Sequence, residues 1–320
     1  MNKRTPKGGT QKHGRSQFVH DLRQNWQFLV FLTIPVIYLL IFEYGPLLGM
    51  QIAFRDYKPK MGMFGSPWAG FKHFKDFLTS YNFLTILKNT LAISAYSIFA
   101  GFPIPVILAL LINSTKHRRL AKLTQNISYI PHFISVVVMV GILNQVFNPI
   151  SGLLGTVWNL FSDGNGYLKD IRTSPKAFSH LYVWSGIWQN MGWSTIIYIS
   201  ALSGVSQDQH EAAIIDGASR FKRILHVDLP AILPTVAIML ILRCGQVMSI
   251  GYEKVYIMQN DMNLSKSEVI STYVYKVGLG KNQLSYASAI DLFNSVINCV
   301  LLLTVNAIAR EASDGEMGLF

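Results

Sequence analysis

Four ionisable residues, Glu43, Arg243, Glu253 and Asp291, lie inside or at the edge of long apolar segments of this 320-residue chain. A charge near the centre of a membrane helix costs about 2.5–3.5 kcal/mol on insertion scales, so it faces a cavity, a partner or an opposite charge. Arg243 is the deepest of the four by sequence, with Gln246 three residues on, and Asp291 leads into Asn294 and Asn298 along one helical side. Two readings stay open: an Arg243–Asp291 or Arg243–Glu43 ion pair inside a helix bundle, or direct contact of Arg243 with a polar solute. A second group joins Trp184, Trp188, Gln189 and Asn190 within two turns, with Trp193 beyond. Aromatic faces beside amide donors suit sugar rings, whose C–H faces pack on the aromatic while their hydroxyls need hydrogen-bond partners. Tryptophan also settles at membrane interfaces without any ligand.

Other chemistry is missing. The nearest approach to a phosphate-cradling loop, Gly278-Leu279-Gly280-Lys281-Asn282, has Tyr275 where the first glycine belongs and Asn282 where the hydroxyl belongs. ATP, if it is used, must therefore be bound by another chain, and no cofactor is expected in this one. No His-Glu-x-x-His, paired-cysteine or Gly-x-Ser-x-Gly arrangement supports metal or serine hydrolysis. Cys244 and Cys299 both lie in apolar stretches without a spaced partner, as packing residues do. A polytopic membrane enzyme or a structural membrane component is the competing class, and it lacks a convergent set of acid, base and nucleophile.

The elements that must position these residues are membrane helices. Half of the residues are hydrophobic, 14% are charged and the mean hydropathy is positive, which excludes an ordinary soluble domain of this length. The net charge of +11 gathers in the N-terminal tail and in short loops, where anionic lipid is a simpler partner than nucleic acid, so no nucleic-acid partner is expected. Residues 1–25 read as a basic cytoplasmic tail, residues 26–309 as a six-span domain and residues 310–320 as a cytoplasmic end. The expected spans run over about 26–50, 89–112, 127–147, 178–202, 231–250 and 286–309. Pro35 would kink the first, and Gly101-Phe102-Pro103-Ile104-Pro105 would bend or unwind the second. The 14-residue segment 113–126 holds Lys116, Arg118, Arg119 and Lys122 with no acid, which favours cytoplasmic placement of both termini. Outside, Phe71 to Leu78 reads as an interfacial helix and Glu268 to Tyr275 as another short one.

Between the fourth and fifth spans lies Glu211 to Pro230. Here a helix to about Asp216 meets Gly217, and a second short helix runs to about His226. Ile214, Ala218, Phe221 and Leu225 would form one apolar stripe, with Leu229-Pro230 closing the unit and Pro230 in the first turn of the next helix. The spacing of Glu211, Ala212, Ala213, Gly217, Val227, Leu229 and Pro230 resembles the cytoplasmic loop of the permease subunits of binding-protein-dependent ABC importers. Gly192 through Leu202 followed by Glu211 through Pro230 is similar to the carbohydrate-uptake branch. Glu43-Tyr44-Gly45-Pro46 with Gln51 to Tyr57 is similar to the permeases for oligosaccharides from pectin, rhamnogalacturonan or alginate.

The resemblance implies an all-α fold of type I importer permeases in a bacterial plasma membrane. It implies a second, related permease chain, two subunits of a cytoplasmic ATPase that bind the ATP, and an extracellular sugar-binding lipoprotein that delivers an oligosaccharide. The loop, residues 203–230, would couple to the ATPase through Glu211, Ala212, Ala213, Asp216, Gly217, Ala218, Leu229 and Pro230. Glu43, Trp184, Trp188, Gln189, Asn190, Arg243, Gln246, Asp291 and Asn294 are the candidates for the solute pathway. A peptide or an inorganic anion is the alternative solute.

Overall fold

The computed structural model describes residues 24–161, 169–313 and 318–319, so the basic tail expected before residue 24 and much of the C-terminal end lie outside the described residues. The described residues form helices joined by turns, and Arg55 and Trp68 make one isolated antiparallel bridge. Among the described residues four helices are long and apolar enough to cross a membrane: α1 (Trp26–Phe54), α2 (Phe83–Asn113), α7 (Arg220–Cys244) and α9 (Leu284–Ala312). A fifth crossing is made if α3 (Arg118–Phe133) and α4 (Val136–Val146), bent by 99° at their junction, count as one broken span. The expected fourth span is the 28-residue α5 (Pro175–Leu202), long enough at about 42 Å. Its tryptophans and amides keep it from being apolar enough to stand among the four. The sixth-span count expected from sequence thus rests on α5 and on the bent pair.

Two local expectations change. The continuous span at 127–147 is broken at Ile134, which takes extended torsions while Ser135 caps α4 by accepting from the Val138 N–H. Pro131 and the 3₁₀ turn Ile130–Phe133 end α3 just before that point. The second span, in contrast, is not unwound at Gly101-Phe102-Pro103: Phe102 keeps helical torsions (φ −67°, ψ −42°) and α2 runs on for 31 residues in all. Pro103 and Pro105 fall in the first turn after Phe102, where a missing N–H costs least.

Two cores bracket the bundle. At the end holding Asn113, Val106, Ala109 and Leu110 of α2 pack with Tyr198 and Leu202 of α5 and Ile232 of α7. At the other end Phe77, Ile86, Met248, Ile270, Ala287 and Ile290 pack together, and the two short outer helices, Lys72–Leu78 and Ile270–Tyr275, belong to this layer. α5 is the centre of the molecule, touching α2, α3 and α7. A Cβ at its Gly192 would stand 2.1 Å from the Ser128 carbonyl oxygen, so the α3 and α5 backbones cross in direct contact there. α1 behaves differently: none of Trp26 to Leu47 is buried, and only its 3₁₀ end, Leu48–Phe54, packs against α9.

Candidate functional site

Two sites emerge, and the first is the loop. α6 (Gln207–Ile215) begins four residues before Glu211, with Ser206 as its N-cap. It ends in a Schellman turn: the Ala218 N–H donates to the Ala213 carbonyl at 2.9 Å and the Gly217 N–H to the Ile214 carbonyl at 3.0 Å. Gly217 stands at φ +73°, the left-handed conformation that residues with a Cβ adopt at a cost of roughly 1–2 kcal/mol. Among the described residues nothing lies within 4 Å of where its Cβ would be. The helix that follows does not close at Leu229-Pro230, as expected, but continues as α7 from Arg220 to Cys244. A wide π turn at Ile224–Asp228 carries the backbone past Pro230, which has no N–H to give to the preceding turn.

The bend at Gly217 also breaks the expected single apolar stripe into two short faces. Ile214, Ile215, Phe221 and Leu225 are exposed, with Ile215 and Phe221 at 85% and 72%. Glu211, Ala212 and Asp216 are exposed as well, and Ala213 and Ala218 half-buried. The Glu211 carboxylate accepts from the Gln207 side chain at 3.3 Å on the same helix.

What fastens this unit to the bundle was missed in the sequence. Asp228, 2% exposed, accepts from the Asn113 side chain at the end of α2 (3.2 Å) and meets His210 Nε2 of α6 at 3.2 Å. One carboxylate therefore ties α2, α6 and α7 together. The available signal was an acid set in an otherwise apolar run just before Leu229-Pro230.

The second site is a cavity of about 1260 Å³ among α2, α3, α5, α7 and α8 (Tyr252–Met258). Gln189, Asn190, Arg243 and Gln246 all line it. The aromatic wall is Trp193 rather than Trp184 or Trp188. The His132 ring stacks on Trp193 at 4.5 Å and 6°, and His132 Nδ1 lies 3.0 Å from the Asn190 amide oxygen. Gln189 donates to the Ile134 carbonyl at 2.7 Å and so satisfies a backbone acceptor freed by the break between α3 and α4. Trp184 instead donates to the Tyr96 hydroxyl (2.8 Å), which pairs with His180 (2.9 Å), and Trp188 is exposed away from the cavity lining.

Neither the Arg243–Asp291 nor the Arg243–Glu43 pair forms, and among the described residues no carboxylate lies within 4.0 Å of Arg243. Glu43 and Asp291 are exposed. Asn294 is buried, with an amide oxygen that has no partner, and it does not line the cavity. Tyr182 and Lys254, neither of them singled out in the sequence, do line it. Lys254 lies beyond the end of α7, and burial pushes its ammonium pKa down to about 8.

Residues 101–311 match the family of binding-protein-dependent transport system inner membrane components. The chain is 39% identical over 300 residues to Protein LplB of Bacillus subtilis, covering 93% of this chain and 92% of that protein. It is 36% identical over 310 residues to the polygalacturonan/rhamnogalacturonan transport system permease protein YteP of the same organism, covering 97% and 95%. A chain of the crystal structure of a bacterial alginate ABC transporter, in complex with an alginate pentasaccharide-bound periplasmic protein, superposes with a TM-score of 0.82 at 32% identity. That match covers 92% of this chain and 97% of the other.

Proposed function

This chain belongs to the family of binding-protein-dependent transport system inner membrane components, and on that premise we propose that it is the permease subunit of an ABC importer for oligosaccharides. The names of its relatives support acidic chains of the polygalacturonan or rhamnogalacturonan type as the solute. The chain moves solute and leaves the hydrolysis of ATP to a partner. The bent pair α3–α4 and the long α5 complete six crossings of a bacterial plasma membrane, with both termini and the loop in the cytoplasm.

The observation that carries the reading is the loop. Its helix–Gly–helix presents Ile214, Ile215 and Phe221 uncovered, at the end of the bundle marked by Asn113. An exposed apolar patch backed by a rigid tether is a docking surface. A cytoplasmic ATPase covers it, two ATPase subunits serving two permeases, and Gly217 allows the close approach. Because Asp228 fixes α6 to both α2 and α7, a push on the loop moves two spans together, and the cavity between α5 and α7 opens to alternate sides.

A second, related permease chain faces the surfaces this chain leaves bare. Glu43 and Asp291 stand exposed on helices of membrane length, and none of Trp26 to Leu47 of α1 is buried among the described residues. Carboxylates are too costly to leave in lipid, so protein or a wet pathway meets them. An extracellular sugar-binding lipoprotein delivers the solute to the outer layer. Purifying the tagged chain from mild detergent tests the reading: an ATPase, a second permease and a sugar-binding lipoprotein should come with it, and a solitary chain with enzymatic activity would overturn it.

A further inference from the structure

We propose that Lys254, with Arg243, recognises the carboxylate of a uronate unit as an oligosaccharide passes through the cavity, and that it is a specificity-determining residue of the importer. The inference rests on the acidic-oligosaccharide reading above and adds to it the group that reads the charge.

Lys254 is only 9% exposed and lines the cavity from α8, while Arg243 lines it from α7. Its ammonium donates to the Tyr182 carbonyl at 3.0 Å and lies 4.9 Å from the centroid of the Tyr182 ring. An ammonium has three N–H donors, so two remain after the carbonyl is served. Among the described residues no carboxylate lies within 4.0 Å of Lys254. A buried cation without a counter-charge is expensive, and soluble and membrane proteins alike pair such groups.

A purely structural tie to the Tyr182 carbonyl needs a donor and no charge, and a glutamine or threonine would serve it without that expense. The surplus positive charge therefore points to an anion that enters and leaves. The site is also shaped around the ammonium: a Cβ on Gly186 would come within 3.3 Å of Lys254 Nζ, and the glycine leaves that room. Gln189, Asn190 and Gln246 supply amides for hydroxyls, and the His132–Trp193 stack supplies an aromatic face. A carboxylate bound between Lys254 and Arg243 would sit in the same cavity as both, where a low dielectric strengthens the attraction. Tyr182 holds Lys254 through a neutral carbonyl and a ring, contacts weak enough for an anion to compete with.

The test uses the whole importer, with its ATPase and binding protein, in proteoliposomes. Uptake of trigalacturonate and of its fully methyl-esterified form is measured for each variant, and each rate is divided by the wild-type rate for the same compound. Lys254→Met should lower trigalacturonate uptake about tenfold or more while the ester rate stays within about twofold, and Lys254→Arg should restore most of the trigalacturonate rate. Gly186→Ala, which keeps the charge but crowds the ammonium, should show the same bias more weakly, and it serves if Lys254→Met fails to assemble. Equal losses on both compounds, or no loss, would overturn the role of Lys254. A wild type that takes up neither compound would instead bring down the acidic-oligosaccharide reading on which this role depends.

Discussion

The two glycines Gly192 and Gly217 divide this molecule into a part that is finished and a part that waits. At Gly192 a Cβ would collide with the Ser128 carbonyl at 2.1 Å, because α3 and α5 meet there backbone to backbone. At Gly217 a Cβ would meet nothing within 4 Å, yet the residue holds φ +73° at the corner between α6 and α7. The first glycine is required by packing inside the chain. The second is required by the left-handed backbone that closes α6. The same contrast runs through the neighbours: around α5 the polar groups are satisfied within the chain, as in Gln189 to Ile134 and His132 to Asn190. Around Gly217 the apolar groups Ile215 and Phe221 have no cover. The cavity is assembled by this chain's own folding, whereas on the proposed reading the loop is completed by another protein.

Mutations can break this division at graded points. The largest effect should come from Gly192→Ala, because the colliding atom is backbone and the helices must separate. The cost should exceed the about 1–3 kcal/mol of ordinary overpacking, and the amount of folded chain in the membrane should collapse on immunoblots of solubilised membranes. His210→Ala should act next. It leaves Asp228 buried with Asn113 as its hydrogen-bond partner and the charge of Arg223, a loss of about 1–3 kcal/mol for a buried polar group, and should reduce ATP-driven uptake severalfold at unchanged membrane levels. Asp228→Asn, which keeps an acceptor for Asn113, should cost less than His210→Ala in the same assay. The smallest effect should come from Trp184→Phe, which loses one hydrogen bond to Tyr96 away from the cavity and should leave sugar uptake within about twofold. Trp193→Ala, by contrast, removes the aromatic wall and should lower uptake more than Trp184→Phe does.

The loop was legible because its information is local. Glu211 to Pro230 are consecutive, so Gly217 as a corner and two helices on either side follow from residue type and spacing. The chain's wider tie, Asn113 to Asp228 to His210, spans 115 residues and left only a single odd acid in an apolar run. Spans α1, α2, α7 and α9 were legible as long apolar runs, and the bent α3–α4 pair was not: hydropathy sees Ile127 to Phe147 as continuous and cannot see Ser135 capping a new helix. Of the candidate solute residues, Gln189, Asn190, Arg243 and Gln246 do meet in one cavity. Trp184, Trp188, Glu43, Asp291 and Asn294 do not line it, because helical spacing places residues on a face without saying which face looks inward. Lys254 was overlooked because a lysine in an outer segment reads as solvated until α8 is seen folded against α4 and Tyr182.

Gly217→Trp tests whether another protein's ATP energy enters at the Gly217 corner. A Cβ there meets no described atom within 4 Å and the exposed corner faces away from the packed bundle, while the left-handed backbone costs only about 1–2 kcal/mol, so the variant should insert at the wild-type level. The measurement is uptake driven by ATP, alongside recovery of the ATPase with the tagged chain. Both should fall to background while the membrane level of the chain is unchanged. Normal ATP-driven uptake by the Gly217→Trp importer would contradict it.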